Sequence, residues 1–138
     1  MSEKTVEAIL KEKGAYIVTT SGGSMRPMLR HRRDTVTVVP LTGTVKKYDV
    51  VLFRRGEELV LHRVVDVLPE GYLIRGDHCR ESDPVSKMQI LGILSAFTRN
   101  EKPHTVTSPG YVIYSRIIVW LNPVLRLAMK VRRGILRR

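Results

Sequence analysis

Residues 59–67 have the sequence Leu-Val-Leu-His-Arg-Val-Val-Asp-Val, the longest of six short runs rich in apolar and β-branched residues. Runs of this composition are typical of β-strands, because β-branched side chains pack well on a pleated surface. Successive side chains of a strand point to opposite faces, so His62 shares a face with Val60 and Val64. The stretch therefore predicts a half-buried strand that carries a histidine.

Five similar runs occupy most of the chain between residues 15 and 97. Turn residues such as Gly22-Gly23, Gly56 and Pro69-Glu70-Gly71 separate them. The runs are Tyr16–Thr20, Thr35–Val39, Val50–Phe53, Tyr72–Ile74 and Ile90–Phe97. Six short strands with tight turns predict a mainly β fold over residues 15–99, an antiparallel sheet curled into a small barrel or sandwich.

The sequence on either side of these runs has a different character. Over residues 1–14, apolar residues recur at helical spacing, which predicts a short helix that Ser2 caps and Gly14 ends. Residues 100–110 are mostly polar and are predicted to be a link. Residues 111–138 again have helical spacing, interrupted at Asn122-Pro123, and predict a basic amphipathic helical tail.

The positive charge is concentrated in that tail. The 138 residues have a net charge of +11, yet residues 1–109 contribute only +4, from 17 Lys and Arg against 13 Asp and Glu. Residues 110–138 hold seven Lys and Arg and no acidic residue. A tail of this kind indicates an anionic partner, either a nucleic acid or a membrane surface.

Several classes of protein are excluded by composition. A single cysteine, Cys79, cannot form an internal disulfide, and with only four histidines beside it a structural zinc site is not expected. We expect neither a metal nor a cofactor. There is no uncharged apolar run of about 20 residues, so no conventional transmembrane helix is expected. The N-terminus lacks the apolar core of a secretory signal.

Three short elements could carry chemistry. In Ser21-Gly22-Gly23-Ser24, two glycines precede a serine, as an exposed nucleophile surrounded by backbone amides requires, although the same residues also form ordinary turns. His62 could be a general base or a hydrogen-bonded core residue. Asp77 and Asp83 lie six residues apart after a predicted strand, and either carboxylate could orient an imidazole or simply hold a turn. Nearby Cys79 is expected to be a spectator rather than a nucleophile.

In their order along the chain these elements resemble signal peptidase I. The matching motifs are Ser-Met-x-Pro at 24–27, Asp-Val-Val-x-Phe at 49–53, His-Arg-Val-Val at 62–65, Gly-Asp at 76–77 and Ser-Asp-Pro-Val at 82–85. The resemblance is to the endoplasmic-reticulum and archaeal type, in which a histidine is the general base. It implies the coiled β-barrel of that family.

The resemblance also implies roles for individual residues. Ser24 matches the nucleophile, His62 the general base and Asp83 the acid that orients it, and Asp77 matches a supporting acid that orders the loop. The family usually has a serine two places before the nucleophile, as an oxyanion-hole donor, where this chain has Gly22. The expected donors are then the backbone amides of Gly23 and Ser24, or the hydroxyl of Ser21. The family's N-terminal membrane anchor is absent from this sequence, so cleavage of secretory signals is not implied.

Ser-Gly-x-Ser-Met at 21–25 is also similar to the self-cleaving domain of LexA-type repressors, which shares this fold. Those proteins use a lysine as the base, where this chain has His62. They also carry a DNA-binding helix-turn-helix, for which the 14 residues before the first strand are too few. The basic tail is also too apolar for nucleic-acid binding and has no identifiable recognition motif, so we expect no nucleic-acid partner.

The function expected from the resemblance is a serine endopeptidase that binds a peptide or precursor protein as an extended strand. The alternative is a non-catalytic peptide-binding or membrane-surface module on the same fold. Residues 111–138 are expected to hold the protein on an anionic membrane surface, with Trp120, Tyr111 and Tyr114 at the interface. In the other interpretation, the helix over Tyr111–Leu121 packs on the barrel. The expected location is peripheral on a membrane, or cytoplasmic.

Overall fold

The computed structural model describes residues 5–20, 22–79 and 81–121. These residues form one antiparallel sheet of eight strands, with two α-helices and a short 3₁₀ helix at Lys87–Gln89. The strands are β1 Tyr16–Thr19, β2 Thr35–Val39, β3 Val50–Arg55, β4 Glu58–Leu68, β5 Gly71–Arg75, β6 Asp83–Ser86, β7 Ile90–Arg99 and β8 Lys102–Thr105. The helices are α1 Val6–Lys13 and α2, which covers residues 109–121 of the described chain. The prediction of a mainly β protein is confirmed.

The strand order β1-β2-β7-β3-β4-β5-β6 brings distant parts of the chain together, with β8 beside β7. Strand β7 inserts between β2 and β3, so the centre of the sheet combines early and late segments. In the β3–β4 pair His62 lies opposite Val51, near the middle of the sheet. Along this path β1 and β6 are the two edges, and within the described residues the sheet is open between them.

The core divides into three adjoining apolar clusters. One lies between β3, β4 and β5 around Phe53 and Val64. A second joins the segment after β1 to β7 through Met25, Leu29 and Phe97, and the third lies under α1. Successive residues of β3 belong to different clusters, because neighbouring side chains of a strand point to opposite faces.

Helix α1 differs from its prediction at its first turn. Thr5, rather than Ser2, is the N-cap, and its side chain accepts a hydrogen bond from the Ala8 amide. Ser2 lies outside the described residues. Gly14 ends the helix with a φ of 71°, a left-handed conformation that glycine adopts without strain, as predicted.

The predicted polar link at 100–110 contains regular structure. Strand β8 pairs with the end of β7, and α2 begins at residue 109 rather than 111. All four residues of β8 are exposed, so this strand has no alternation of apolar and polar residues by which a sequence pattern reveals a strand. No helix among the described residues is both long and apolar enough to cross a bilayer.

Candidate active site

Ser24, His62 and Asp83 line the same cleft, which has a volume of about 780 Å³. Ser24 comes from the turns after β1, His62 from the middle of β4 and Asp83 from the first position of β6. Apolar side chains form much of the cleft wall, among them Val36, Val38, Leu52 and Leu61. The sheet order thus brings together three residues that are far apart in the sequence.

Gly76 lies where the Ser24 backbone and the His62 ring meet. A β-carbon built on Gly76 would lie 2.6 Å from the Ser24 carbonyl oxygen, 2.7 Å from Cys79 Sγ and 3.0 Å from His62 Nε2. Only glycine permits this close approach. The amide of the adjacent loop residue His78 donates to the same Ser24 carbonyl at 2.8 Å. The loop between β5 and β6 therefore holds the backbone of Ser24 beside Nε2 of His62.

His62 is more deeply buried than its sequence pattern indicates, with 7% of its surface exposed. Its ring packs edge-on against Phe53, with 6.1 Å between the ring centroids. Burial lowers the pKa of His62 below its ordinary value of 6.5, and the charge of Arg55 lowers it further, against the opposing effect of Asp83 and Asp77. These effects favour the neutral form of the His62 ring, the form in which an imidazole can accept a proton.

Asp83 is bound to a cation rather than to the histidine. Its carboxylate accepts a hydrogen bond from Arg55 Nη1 at 3.2 Å, and about half of each side chain is exposed. Among the described residues, no hydrogen bond joins His62 to Ser24 or to Asp83. The three predicted catalytic residues share a cleft, but they do not form a hydrogen-bonded chain.

Asp77 lies behind the cleft in a buried ion pair. Its carboxylate accepts two hydrogen bonds from Arg63, Nε to Oδ1 at 2.8 Å and Nη2 to Oδ2 at 3.0 Å. Arg63 follows His62 in β4 and is completely buried. The carboxylate thus ties the loop of Gly76 and His78 to the strand that carries the histidine, the place expected of a loop-ordering residue.

Other backbone groups of the turn that carries the predicted oxyanion donors form hydrogen bonds within the described residues. The Gly22 amide donates to His31 Nδ1 at 2.6 Å, and the φ of 83° at Gly22 suits glycine better than the serine usual at this place. The Gly23 carbonyl accepts a hydrogen bond from the Arg26 amide at 3.2 Å within the same turn. Gly22 and Ser24, on either side of Gly23, line the cleft. Ser21 lies outside the described residues.

Cys79 also borders the cleft, and its sulfur lies near the point where Gly76 meets His62. Burial raises the pKa of its thiol above the ordinary value, which lowers the fraction of nucleophilic thiolate at neutral pH. This environment favours Ser24 over Cys79 as the nucleophile.

Sequence reasoning missed two sets of residues that shape the site. The hydroxyls of Tyr111 and Tyr114 from α2 reach the Arg63–Asp77 pair, so these tyrosines face the sheet rather than the outside.

Asp34, fully buried, accepts hydrogen bonds from the Arg30 and Asn100 amides and fixes the base of the segment that carries Ser24. A fully buried acid directly after two arginines had no signal in local periodicity.

Asp34 is held in its charged form. Burial alone would raise its pKa, but the Arg33 guanidinium and the two backbone amides outweigh burial and lower the pKa to about 2. In the described part of the chain, no group of three or more His, Cys, Asp or Glu side chains is arranged to hold a metal ion. Comparison of the sequence with protein-family models and with curated proteins finds no match to either.

Proposed function

We propose that this chain is a serine endopeptidase with the coiled β-barrel fold and the chemistry of the histidine-dependent signal peptidase I type. Ser24 Oγ attacks the scissile carbonyl of a bound peptide, and His62 accepts the hydroxyl proton. Nε2 is the accepting atom, since it borders Gly76 beside the Ser24 carbonyl. Asp83 carries the negative charge that favours the imidazolium formed in this step. The observation that carries the proposal is that the three side chains meet in one cleft.

The substrate is a peptide or precursor protein in extended conformation. Among the strands that the structure describes, β1 pairs only with β2 and is an edge of the sheet, and its residues Val18 and Thr19 line the cleft. An extended peptide can add to such an edge through backbone hydrogen bonds. Apolar cleft residues then receive alternate side chains of the peptide.

Labelling by a serine-directed phosphonate, followed by peptide mapping, tests the proposal. The reagent forms a bond from phosphorus to the activated Ser24 Oγ and expels its leaving group, so wild-type protein is labelled at Ser24. Ser24→Ala and His62→Ala abolish labelling and lower peptide hydrolysis by about a thousandfold or more. Ser95→Ala and His104→Ala, which change a serine and a histidine outside the cleft, keep both.

Absence of labelling at any pH, with peptide binding retained, would instead indicate a non-catalytic peptide-binding module. The ion pair between Asp83 and Arg55 is the observation that favours this second candidate, because it engages the carboxylate that would otherwise face the imidazole. Ser24→Ala would then leave peptide affinity unchanged, whereas in the peptidase it removes turnover.

We also infer that α2 rests on an anionic membrane surface. Ile113, Ile117 and Trp120 recur at helical spacing on its outer face and are 59%, 51% and 67% exposed. In the sequence that follows, residues 122–138 hold six Lys and Arg and no acidic residue. An apolar helix face followed by a basic segment matches the acyl boundary and the anionic headgroups of a bilayer surface. The protein is then peripheral to the membrane.

A further inference from the structure

Two hydroxyl groups of α2 form hydrogen bonds with the buried ion pair of Arg63 and Asp77. Arg63 Nη1 donates to Tyr111 Oη at 3.1 Å, and the Tyr114 hydroxyl donates to Asp77 Oδ2 at 2.8 Å. The Arg63 guanidinium also lies over both rings, 5.5 Å from the centroid of Tyr111 and 5.6 Å from that of Tyr114. A buried ion pair is stable only when its remaining donors and acceptors are satisfied, and α2 supplies part of that requirement.

The two tyrosines are not equivalent. Arg63 Nη1 also donates to the Tyr48 carbonyl at 2.9 Å, so it keeps a partner without the Tyr111 hydroxyl. The Tyr114 hydroxyl acts on the carboxylate itself. Burial, and next the charge of Asp77, raise the pKa of Tyr114, so its phenol keeps the proton that it donates.

The position of Asp77 affects both reacting residues through its neighbours in the chain. On one side of it, Gly76 fits between the Ser24 carbonyl and His62 Nε2. On the other side, the His78 amide donates to the Ser24 carbonyl at 2.8 Å. A shift of the Asp77 carboxylate therefore displaces the loop that sets the Ser24 backbone against the histidine.

We propose that Tyr114 is a positioning residue for the hydrolysis proposed above, and that α2 is part of the hydrolytic unit. By donating to Asp77, the Tyr114 hydroxyl keeps residues 76–78 in the arrangement that holds Ser24 beside His62. The proposal rests on the proposed function for its effect on turnover. The link between helix and loop rests on the hydrogen bonds alone.

Tyr114→Phe is the discriminating variant, because it keeps the ring over Arg63 and removes only the hydroxyl. We expect kcat to fall about tenfold or more, because misplacement of a reacting group by about 1 Å can cost a hundredfold in rate. KM stays within about twofold, since Tyr114 does not line the cleft. Tyr72→Phe, at a buried tyrosine of β5, is the matched control and keeps the wild-type kcat.

Tyr111→Phe is a second variant on the same helix. We expect it to lower kcat less than Tyr114→Phe, because Arg63 Nη1 retains the Tyr48 carbonyl. If Tyr114→Phe, assayed well below its melting temperature, has the kcat of the Tyr72→Phe control, Tyr114 has no positioning role and the proposal is overturned. A larger loss in Tyr111→Phe than in Tyr114→Phe would also overturn it.

Hydrogen exchange of the His78 amide gives a readout that does not require activity. In Tyr114→Phe we expect this amide to exchange about tenfold faster than in wild type and in Tyr72→Phe, with the amides of β2 unchanged as the internal reference. Unchanged His78 exchange would overturn the link between helix and loop, even in an active enzyme. Faster exchange in a protein whose Ser24 takes no phosphonate supports the link and refutes the peptidase.

Discussion

At the scale of single residues, a cation and an anion act on the His62 proton in opposite directions. Burial, followed by the charge of Arg55, lowers the pKa of His62, while Asp83 raises it. Arg55 acts twice, because it also binds the Asp83 carboxylate. The acidic limb of the kcat/KM profile should therefore lie below pH 6.5, the ordinary pKa of histidine.

Arg55→Gln should move that acidic limb to higher pH. The substitution removes a positive charge near His62 and releases Asp83, and both changes favour the protonated ring. The measurement is kcat/KM as a function of pH for wild type, Arg55→Gln and the exposed control Arg99→Gln. A limb that stayed in place, or moved to lower pH, would show that Arg55 does not act on His62.

Substitution of Asp83, at the start of β6, should mainly affect turnover, whereas substitution of Asp77, in the loop before it, should mainly affect stability. Asp83→Asn should lower kcat about a thousandfold, because an amide cannot stabilise the imidazolium, with a small change in melting temperature. Its exposed pair with Arg55 contributes at most about 1 kcal/mol. Asp77→Asn should lower kcat less but cost on the order of 3 kcal/mol of unfolding free energy, because it leaves Arg63 charged and buried.

Turnover assays and urea unfolding of both variants check this pair of expectations. Should Asp77→Asn be the less active and the more stable of the two, the orienting role would belong to Asp77. Asp66→Asn, at an exposed carboxylate of β4, serves as the control for both measurements.

At the scale of elements, the loop between β5 and β6 depends on one residue without a side chain. Gly76→Ala would put a methyl group 2.6 Å from the Ser24 carbonyl, a backbone atom that cannot move alone. We expect the variant to lose about 1–3 kcal/mol of stability and most of its hydrolytic activity. Gly43→Ala, where the added carbon meets nothing within 4 Å, should match wild type in urea unfolding and in turnover. Equal activity of the two variants would refute this role of the loop.

Comparison of the predicted strands with the observed ones shows which features of the fold the sequence could predict. All six predicted strands are present, because alternation and β-branched residues mark them locally. Strand β6 was missed because it begins with Asp83-Pro84, which reads as a turn. The place of β7 between β2 and β3 had no local signal, since strand order depends on contacts between distant segments.

Helix α2 illustrates the same limit within the site. Its helical spacing was visible in the sequence, but the direction of its tyrosines was not. Tyr111 is 48 residues from its partner Arg63, and Tyr114 is 37 residues from Asp77. Local sequence could equally place two tyrosines at a membrane interface or against a buried ion pair. The position in the sheet of β4, which carries Arg63, determines that the tyrosines contact the ion pair.

At the scale of the whole molecule, the outer face of α2 should control membrane binding without affecting the fold. Replacing Ile113, Ile117 and Trp120 together by serine removes exposed apolar surface and leaves the tyrosines in place. We expect the wild type to co-sediment with vesicles containing anionic lipid, in a salt-sensitive manner, and the triple variant to bind at least about tenfold more weakly.

A single substitution at a still more exposed apolar residue, Met88→Ser, provides the control. Zwitterionic vesicles should bind both proteins weakly, because they lack the charge that attracts Lys and Arg. Wild-type protein that remained in the supernatant with anionic vesicles would exclude the membrane surface as its partner.

The inward face of α2 also sets a lower bound on the size of an autonomous folding unit of this architecture. In the part of the chain that the structure describes, the last strand ends at Thr105, yet Ser115 and Ile118 are buried further along, and the Arg63–Asp77 pair depends on hydroxyls of α2. A fragment ending with that strand would retain every proposed catalytic residue, and it would still lack the Tyr111 acceptor and the Tyr114 donor of the buried Arg63–Asp77 pair. The shortest segment able to evolve, swap or be transplanted as a unit therefore extends into the helix.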